Sequence, residues 1–354
     1  MTRKQHAGFT LIETMVSLIV LLAVSAIVMG GMSQVMKTQG TIANRTEMHT
    51  SVRGATQLME QEIGQAGMIS LPTNPAGGPW LMLTPVVVPT DAPVTVTAPP
   101  GVSFSPGLTT LFDGELLLVD VGTNQETITI TCPIAGTCTN TWTAGPFYNS
   151  HGAAGVPVPI SAPGAFSTGV VPPAPGVTAG YAGYTGTNCI PITVSCGSTG
   201  TTLKLYGDIN GDGNMMYVEY TCVQGTATAP GFLYRNQVPF DAAAKPAVAP
   251  SMAVLTNLGT NPNDLNGNVV PCFTYQVITV GLNAEFVFVT DVAVTLTELT
   301  QNPDPQTHQI QSETKALLNV SPRNVFNAFL LARGDYTNRV QIMPYKTKKN
   351  LLYP

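Results

Sequence analysis

GFTLIETMVSLIVLLAVSAIVMGGMSQVM, residues 8–36, is the stretch on which the reading of this chain turns. Between Glu13 and Lys37 stand 23 residues without a charge. As a helix they extend about 35 Å at 1.5 Å per residue, enough to cross a hydrocarbon core of about 30 Å. Ahead of the run lie eight polar residues, MTRKQHAG, in which Arg3 and Lys4 favour the cytoplasmic side and place everything beyond Lys37 outside. A secretory signal carries its small-residue cleavage site after the apolar segment. Here Gly8 precedes it and no such site follows Met36, so the apolar stretch outlives processing.

Glu13 is the anomaly in that run. An unpaired carboxylate there costs about 2.5 to 3.5 kcal/mol on insertion scales, and intramembrane charges of this kind have partners and roles. If the chain is cut after Gly8, the new α-amine of Phe9 is a cation one helical turn away, able to neutralise Glu13 within one chain or between chains.

The stretch Gly8-Phe9-Thr10-Leu11-Ile12-Glu13 resembles the processing motif of type IV prepilins and secretion pseudopilins at every position. The resemblance implies a leader peptide, residues 1–8, removed by a membrane aspartic peptidase between Gly8 and Phe9. It implies methylation of the Phe9 amine and a role for Glu13 in docking each subunit onto its neighbour. The partners it implies are other pilins or pseudopilins, the prepilin peptidase and the inner membrane before assembly. Where many such helices carry a proline, this one has Gly30-Gly31, which also loosens a helix.

The helix continues outward. Met48, Val52, Ala55, Met59, Ile63 and Ala66 recur at spacings of three and four, while Arg45, Glu47, Arg53, Glu60 and Gln61 fall mostly off that face. Gly67 and Pro72 end it, so one helix is expected over about 9–67. Leu58 to Gly67 also resembles the end of this helix in PilW-like minor pilins. The remainder, 68–354, reads as a β-rich extracytoplasmic region, giving an α+β pilin fold. Strands are expected at 116–121, 126–132, 201–206, 216–223, 232–235, 272–280 and 285–297. Residues 144–187, dominated by Gly, Ala, Pro and Ser, read as a long surface insertion that supplies no core.

Within this region Asp208-Ile-Asn210-Gly-Asp212-Gly213-Asn214 to Glu219 fits the twelve-residue calcium loop D-x-[DN]-x-[DN]-G-x5-E. Asp208, Asn210 and Asp212 would give side-chain oxygens, Gly213 the turn, Asn214 its carbonyl and Glu219 a bidentate carboxylate. Strand-like flanks make this Ca²⁺ loop a graft on a hairpin, and a plain Asx turn is the other reading. Six cysteines, Cys132, Cys138, Cys189, Cys196, Cys222 and Cys272, contain no CxxC and indicate an oxidising compartment. Six allow 15 pairings. A preference for short loops pairs Cys132 with Cys138 and Cys189 with Cys196, leaving Cys222 with Cys272.

Charged residues make up only 10% against roughly 25% in an average domain, and the net charge is −5. No Lys/Arg cluster suits a phosphate backbone, so nucleic acid is not a main partner. No nucleophile with a base, paired carboxylates, metal triad or phosphate loop points to an enzyme. His49, His151 and His308 read as solvated. Leu233-Tyr234-Arg235, Phe273-Thr274-Tyr275 and Pro322-Arg323-Asn324-Val325 resemble pieces of PilW-like and J-type pseudopilin domains. Two filament systems are therefore implied: a minor pilin in or priming a type IV pilus, for assembly, adhesion or DNA uptake, or a J-type minor pseudopilin of type II secretion.

Overall fold

The computed structural model describes residues 10–71, 80–83, 90–97, 111–132, 138, 141–152, 156–163, 166, 169–173, 197–280, 286–341, 343–344 and 351–352. Helix α1 (Leu11–Gln65) forms one uninterrupted rod of 55 residues, which at 1.5 Å per residue is about 80 Å long. The helix passes through Gly30-Gly31 without a break. Its buried residues are Met48, Val52, Ala55, Thr56, Met59, Glu62 and Ile63, followed by Ala66, so the apolar face read from the spacing is the face that packs. Glu62, the one charge there, was not part of that pattern.

The rod ends where expected and for a steric reason. Gly67 sits at φ +84°, and a Cβ on it would come within 3.1 Å of the Gly169 backbone. Its N–H donates to the Tyr206 carbonyl at 2.9 Å, which carries the chain off the helix onto a strand.

Two antiparallel β units follow. The first is a closed barrel in the order β1-β2-β5-β4-β3-β6, built from β1 (Trp80–Leu83), β2 (Val94–Thr97), β3 (Leu116–Val119), β4 (Glu126–Thr131), β5 (Thr141–Gly145) and β6 (Pro157–Ser161). Alternate residues fill its interior: Leu117 and Val119, Ile128 and Ile130, Trp142 and Ala144, Val158 and Ile160. The second is a seven-stranded sheet, β11-β12-β10-β9-β8-β7, with β13 also on β12. Its strands are β7 (Thr202–Gly207), β8 (Met216–Val223), β9 (Gly231–Pro239), β10 (Ala253–Leu258), β11 (Phe273–Val280), β12 (Phe286–Leu299) and β13 (Ser312–Val320). The 14-residue β12 pairs with β11 along its first part and with β13 along its second.

Helix α1 lies across one face of this sheet, its apolar residues meeting Leu203, Leu205, Val218, Tyr220, Leu233, Leu255, Val292 and Val294. A second helix, α2 (Arg323–Arg333), packs Val325, Ala328 and Ala332 against Phe286 and Phe288. The fold is thus α+β, a long amino-terminal helix followed by antiparallel sheets.

The expected insertion at 144–187 is corrected by the barrel. Its described part supplies β6 and the buried side chains Phe147, Val158, Ile160, Phe166, Val170 and Val171. Prolines and glycines masked a two-residue alternation, since only Val158 and Ile160 of Pro157–Ser161 face inward. Residues 174–187 lie outside the described set.

Candidate functional site

The first turn of α1 is built around Glu13. Thr10 is the N-cap, with extended φ/ψ, and forms a reciprocal capping box with Glu13. The Thr10 N–H and hydroxyl donate to Glu13 Oε2 at 2.8 and 2.9 Å, and the Glu13 N–H donates to Thr10 Oγ1 at 3.3 Å. The carboxylate therefore has a partner in its own chain, one residue from Phe9. Gly8 and Phe9 lie outside the described residues. Thr14 and Ser17 return their hydroxyls to the carbonyls of Leu11 and Glu13, which leaves the outer surface of the turn apolar.

From Leu11 to Met36 the large apolar side chains are exposed, including Leu11, Ile12, Ile19, Leu21, Ile27 and Met29. No part of the most apolar window is buried within the chain. A surface of this kind is stable in lipid or against other helices, not in water.

The outer region grips α1 from Thr38 downward. Gly40 lets Pro305 approach so closely that a Cβ would meet its Cγ at 2.9 Å. Gln306 donates to Thr38, Asn44 to the Asn302 carbonyl and Arg45 Nε to Gln311 Oε1, at 3.2, 3.3 and 2.8 Å. Deeper in, Ser51 donates to Glu298, which is 5% exposed and stands opposite Glu313 in the β12–β13 register. Burial, with smaller contributions from the Glu47 and Glu313 charges, raises the Glu298 carboxyl to about 7 against the Ser51 and Val52 hydrogen bonds. At the far end Glu62 accepts Arg235 Nε at 2.9 Å and the Tyr220 hydroxyl at 2.6 Å. Burial and the Glu62 charge push that tyrosine well above its ordinary range.

The Asp208–Asn214 loop is an Asx-type turn at the β7–β8 connection. Asp208 accepts the Asp212 and Gly213 N–H groups at 3.1 and 3.0 Å and the Ser70 hydroxyl, and Asp212 accepts the Asn214 N–H at 2.9 Å. Asn210 and Asp212 face solvent. Glu219, the expected twelfth-position ligand, is not brought to them. It lies three residues along β8 from Met216, opposite Lys204, and accepts Lys245 at 2.9 and 3.1 Å and the Tyr217 hydroxyl at 2.5 Å. Strand geometry carries it away, where helical flanks would have swung it back. Among the described residues no group of three His, Cys, Asp or Glu is placed to hold a metal.

His151 corrects another expectation. It is fully buried, with Nδ1 3.1 Å from Asp120 and Nε2 2.6 Å from Glu126. Asp120, despite burial, is held below its ordinary value by the His151 and Val121 hydrogen bonds. Glu126 also accepts the Tyr148 and Asn149 N–H groups, so the cluster ties β3, β4 and the β5–β6 connection together. No local sequence signal announced it. His49 is exposed but pairs with Glu313 at 2.5 Å. Cys132 is joined to Cys138 and Cys222 to Cys272, while Cys189 and Cys196 lie outside the described residues.

Residues 3–29 match the prokaryotic N-terminal methylation motif. No curated protein and no solved structure matches the chain. The motif, the capped Glu13 and the exposed apolar rod support a type IV pilin-like amino terminus, of pilin or pseudopilin kind, and suggest membrane association and assembly with other pilins.

Proposed function

We propose that this chain is a minor pilin of a type IV pilus, PilW-like in its helix end and outer pieces. In this reading it is processed after Gly8, methylated at Phe9, and incorporated in or priming the filament by way of Glu13. The observation that carries the proposal is the division of α1 at Thr38: an exposed apolar half on one side, and on the other a half held by the outer sheet. A barrel and a seven-stranded sheet on one helix make a bulky subunit. Bulk suits a terminal position better than repetition along a filament. From that position assembly, adhesion and DNA uptake all follow as roles. A J-type minor pseudopilin of type II secretion has the same helix, and the two readings part on where the processed protein is found. No catalytic role enters the proposal. In this reading the loop takes calcium only weakly, through the solvent-facing Asn210 and Asp212 oxygens with Asp208 and the Asn214 carbonyl and without Glu219.

Glu13→Ala tests the assembly role. Leader removal is expected to stay near wild-type while the amount in sheared surface filaments falls at least tenfold. Normal recovery of the variant in filaments contradicts the proposal.

A further inference from the structure

Helix α2, Arg323–Arg333, has two unlike faces. Val325, Ala328 and Ala332 are buried against Phe286 and Phe288 of β12. On the far side Arg323, Phe326, Leu330 and Arg333 follow one another at intervals of three, four and three residues, which sets them in a single stripe. Phe326 is 57% and Leu330 50% exposed, and both arginines face solvent. Beside the stripe, between α2 and the β11–β12 pair, opens a cavity of about 430 Å³ lined chiefly by Ile278, Phe288, Val289, Val325, Phe326 and Phe329. A run of rings leads to it from the core: Phe286 to Phe288, Phe288 to Phe329 and Phe329 to Phe326, with centroids 6.3, 5.6 and 6.1 Å apart. The last of these rings is the exposed one. A cavity of this size and lining, open at the surface, takes a large apolar side chain.

Charge decides what accompanies that side chain. Neither Arg323 nor Arg333 has an ion pair among the described residues. Asp291, the carboxylate that lines the cavity, accepts the Ser321 hydroxyl at 2.6 Å. Asp335 and Arg339, past the end of the helix, carry opposite charges. The stripe does not complement itself, because two copies packed antiparallel with Phe326 on Leu330 would set Arg323 against Arg333. The lipid or helices that cover the apolar half of α1 are also remote. Asn324 Nδ2 donates to the Gln65 carbonyl at 3.0 Å, so α2 starts at the outer end of α1, about 44 Å beyond Met36 at 1.5 Å per residue.

We propose that α2 is the docking face for an amphipathic helix of another polypeptide, one that presents a large apolar anchor flanked by two carboxylates ten residues apart. The anchor enters the cavity over Phe326 and Phe329, and the two helices lie side by side. The carboxylates meet Arg323 and Arg333, about 15 Å apart along α2, where the guanidinium forks suit them. An apolar anchor in a pocket supplies the affinity, and charges at the rim supply the choice of partner. This docking requires the folded outer body, whether or not the chain enters a filament.

The test uses the full chain in phosphatidylcholine nanodiscs, with empty discs as the blank. The probe is a capped, fluorescein-labelled helical peptide in which Glu, Leu, Phe and Glu repeat the three-four-three spacing on an Ala/Gln background, and a second peptide has Lys for both Glu. Fluorescence anisotropy is expected to show the acidic peptide bound at least tenfold more tightly than the lysine peptide. Phe326→Asp should weaken that binding at least tenfold. Arg323→Glu with Arg333→Glu should transfer the preference to the lysine peptide. These side chains are exposed, so each variant is expected to keep the wild-type melting temperature. Equal binding of the two peptides, binding indifferent to Phe326→Asp, or no binding by the folded wild-type chain overturns the proposal. Capture of the discs by phosphatidylglycerol vesicles in place of the peptide, abolished by Phe326→Asp, would also overturn it and assign the face to lipid.

Discussion

Glu13 and Glu298 are both carboxylates on or against α1, one in its first turn and the other against Ser51 in the half held by the sheet. Glu13 stood out in the sequence because it is the only charge in its surroundings. Glu298 did not, because what makes it notable is brought to it by folding: Ser51 from 247 residues away and Glu313 across the strand pair. Glu62 with Arg235 and His151 with Asp120 and Glu126 were invisible for the same reason. A pH dependence follows from Glu298. Its folded value, about 7, lies above the ordinary 4.5, so the native state holds the proton more tightly than the unfolded chain. Its contribution is therefore fully present below about pH 4.5 and is lost as pH rises through 7. The protein in detergent micelles is expected to melt several degrees lower at pH 8 than at pH 5. Glu298→Gln should remove most of that difference, and an unchanged slope in the variant would assign it to other groups.

Among the elements, α1 and the strands with continuous β-branched character were readable, because their signal is local. The spacing of Met48 through Ala66 fixed the packed face of α1 before any partner was known. Leu116–Val119, Met216–Val223 and Phe273–Val280 fell within a residue or two of their expected bounds. What escaped were β1, β2, β5, β6, β10, β13 and α2, elements that are short or rich in Pro, Gly or polar residues and that gain their order from neighbours. The calcium motif shows the converse: every specified residue matched, yet the strand that carries Glu219 takes it to Lys245. The turn closes on its own hydrogen bonds from Asp208 and Asp212. Removing divalent ions with EDTA is accordingly expected to shift the melting temperature by less than 1 °C or so, on the scale where about 1 kcal/mol moves a domain of this size by about 2–4 °C. A drop of several degrees, reversed by calcium, would show that an ion completes the loop.

At the scale of the whole molecule the chain is an apolar rod with a large β-rich body attached to its outer half. The body holds the rod at three levels, Thr38–Arg45, Ser51 and Glu62, and leaves Leu11 to Met36 for lipid or other helices. In the filament reading the eight leader residues are removed, since a basic leader cannot enter the apolar interior of a filament. The most direct test is therefore the amino terminus of the native protein, read by intact mass and peptide sequencing in sheared surface filaments and in the envelope fraction separately. An N-methylated Phe9 terminus, present in the filaments, is the predicted result. A chain that still begins at Met1 or Thr2 in both fractions would contradict the account.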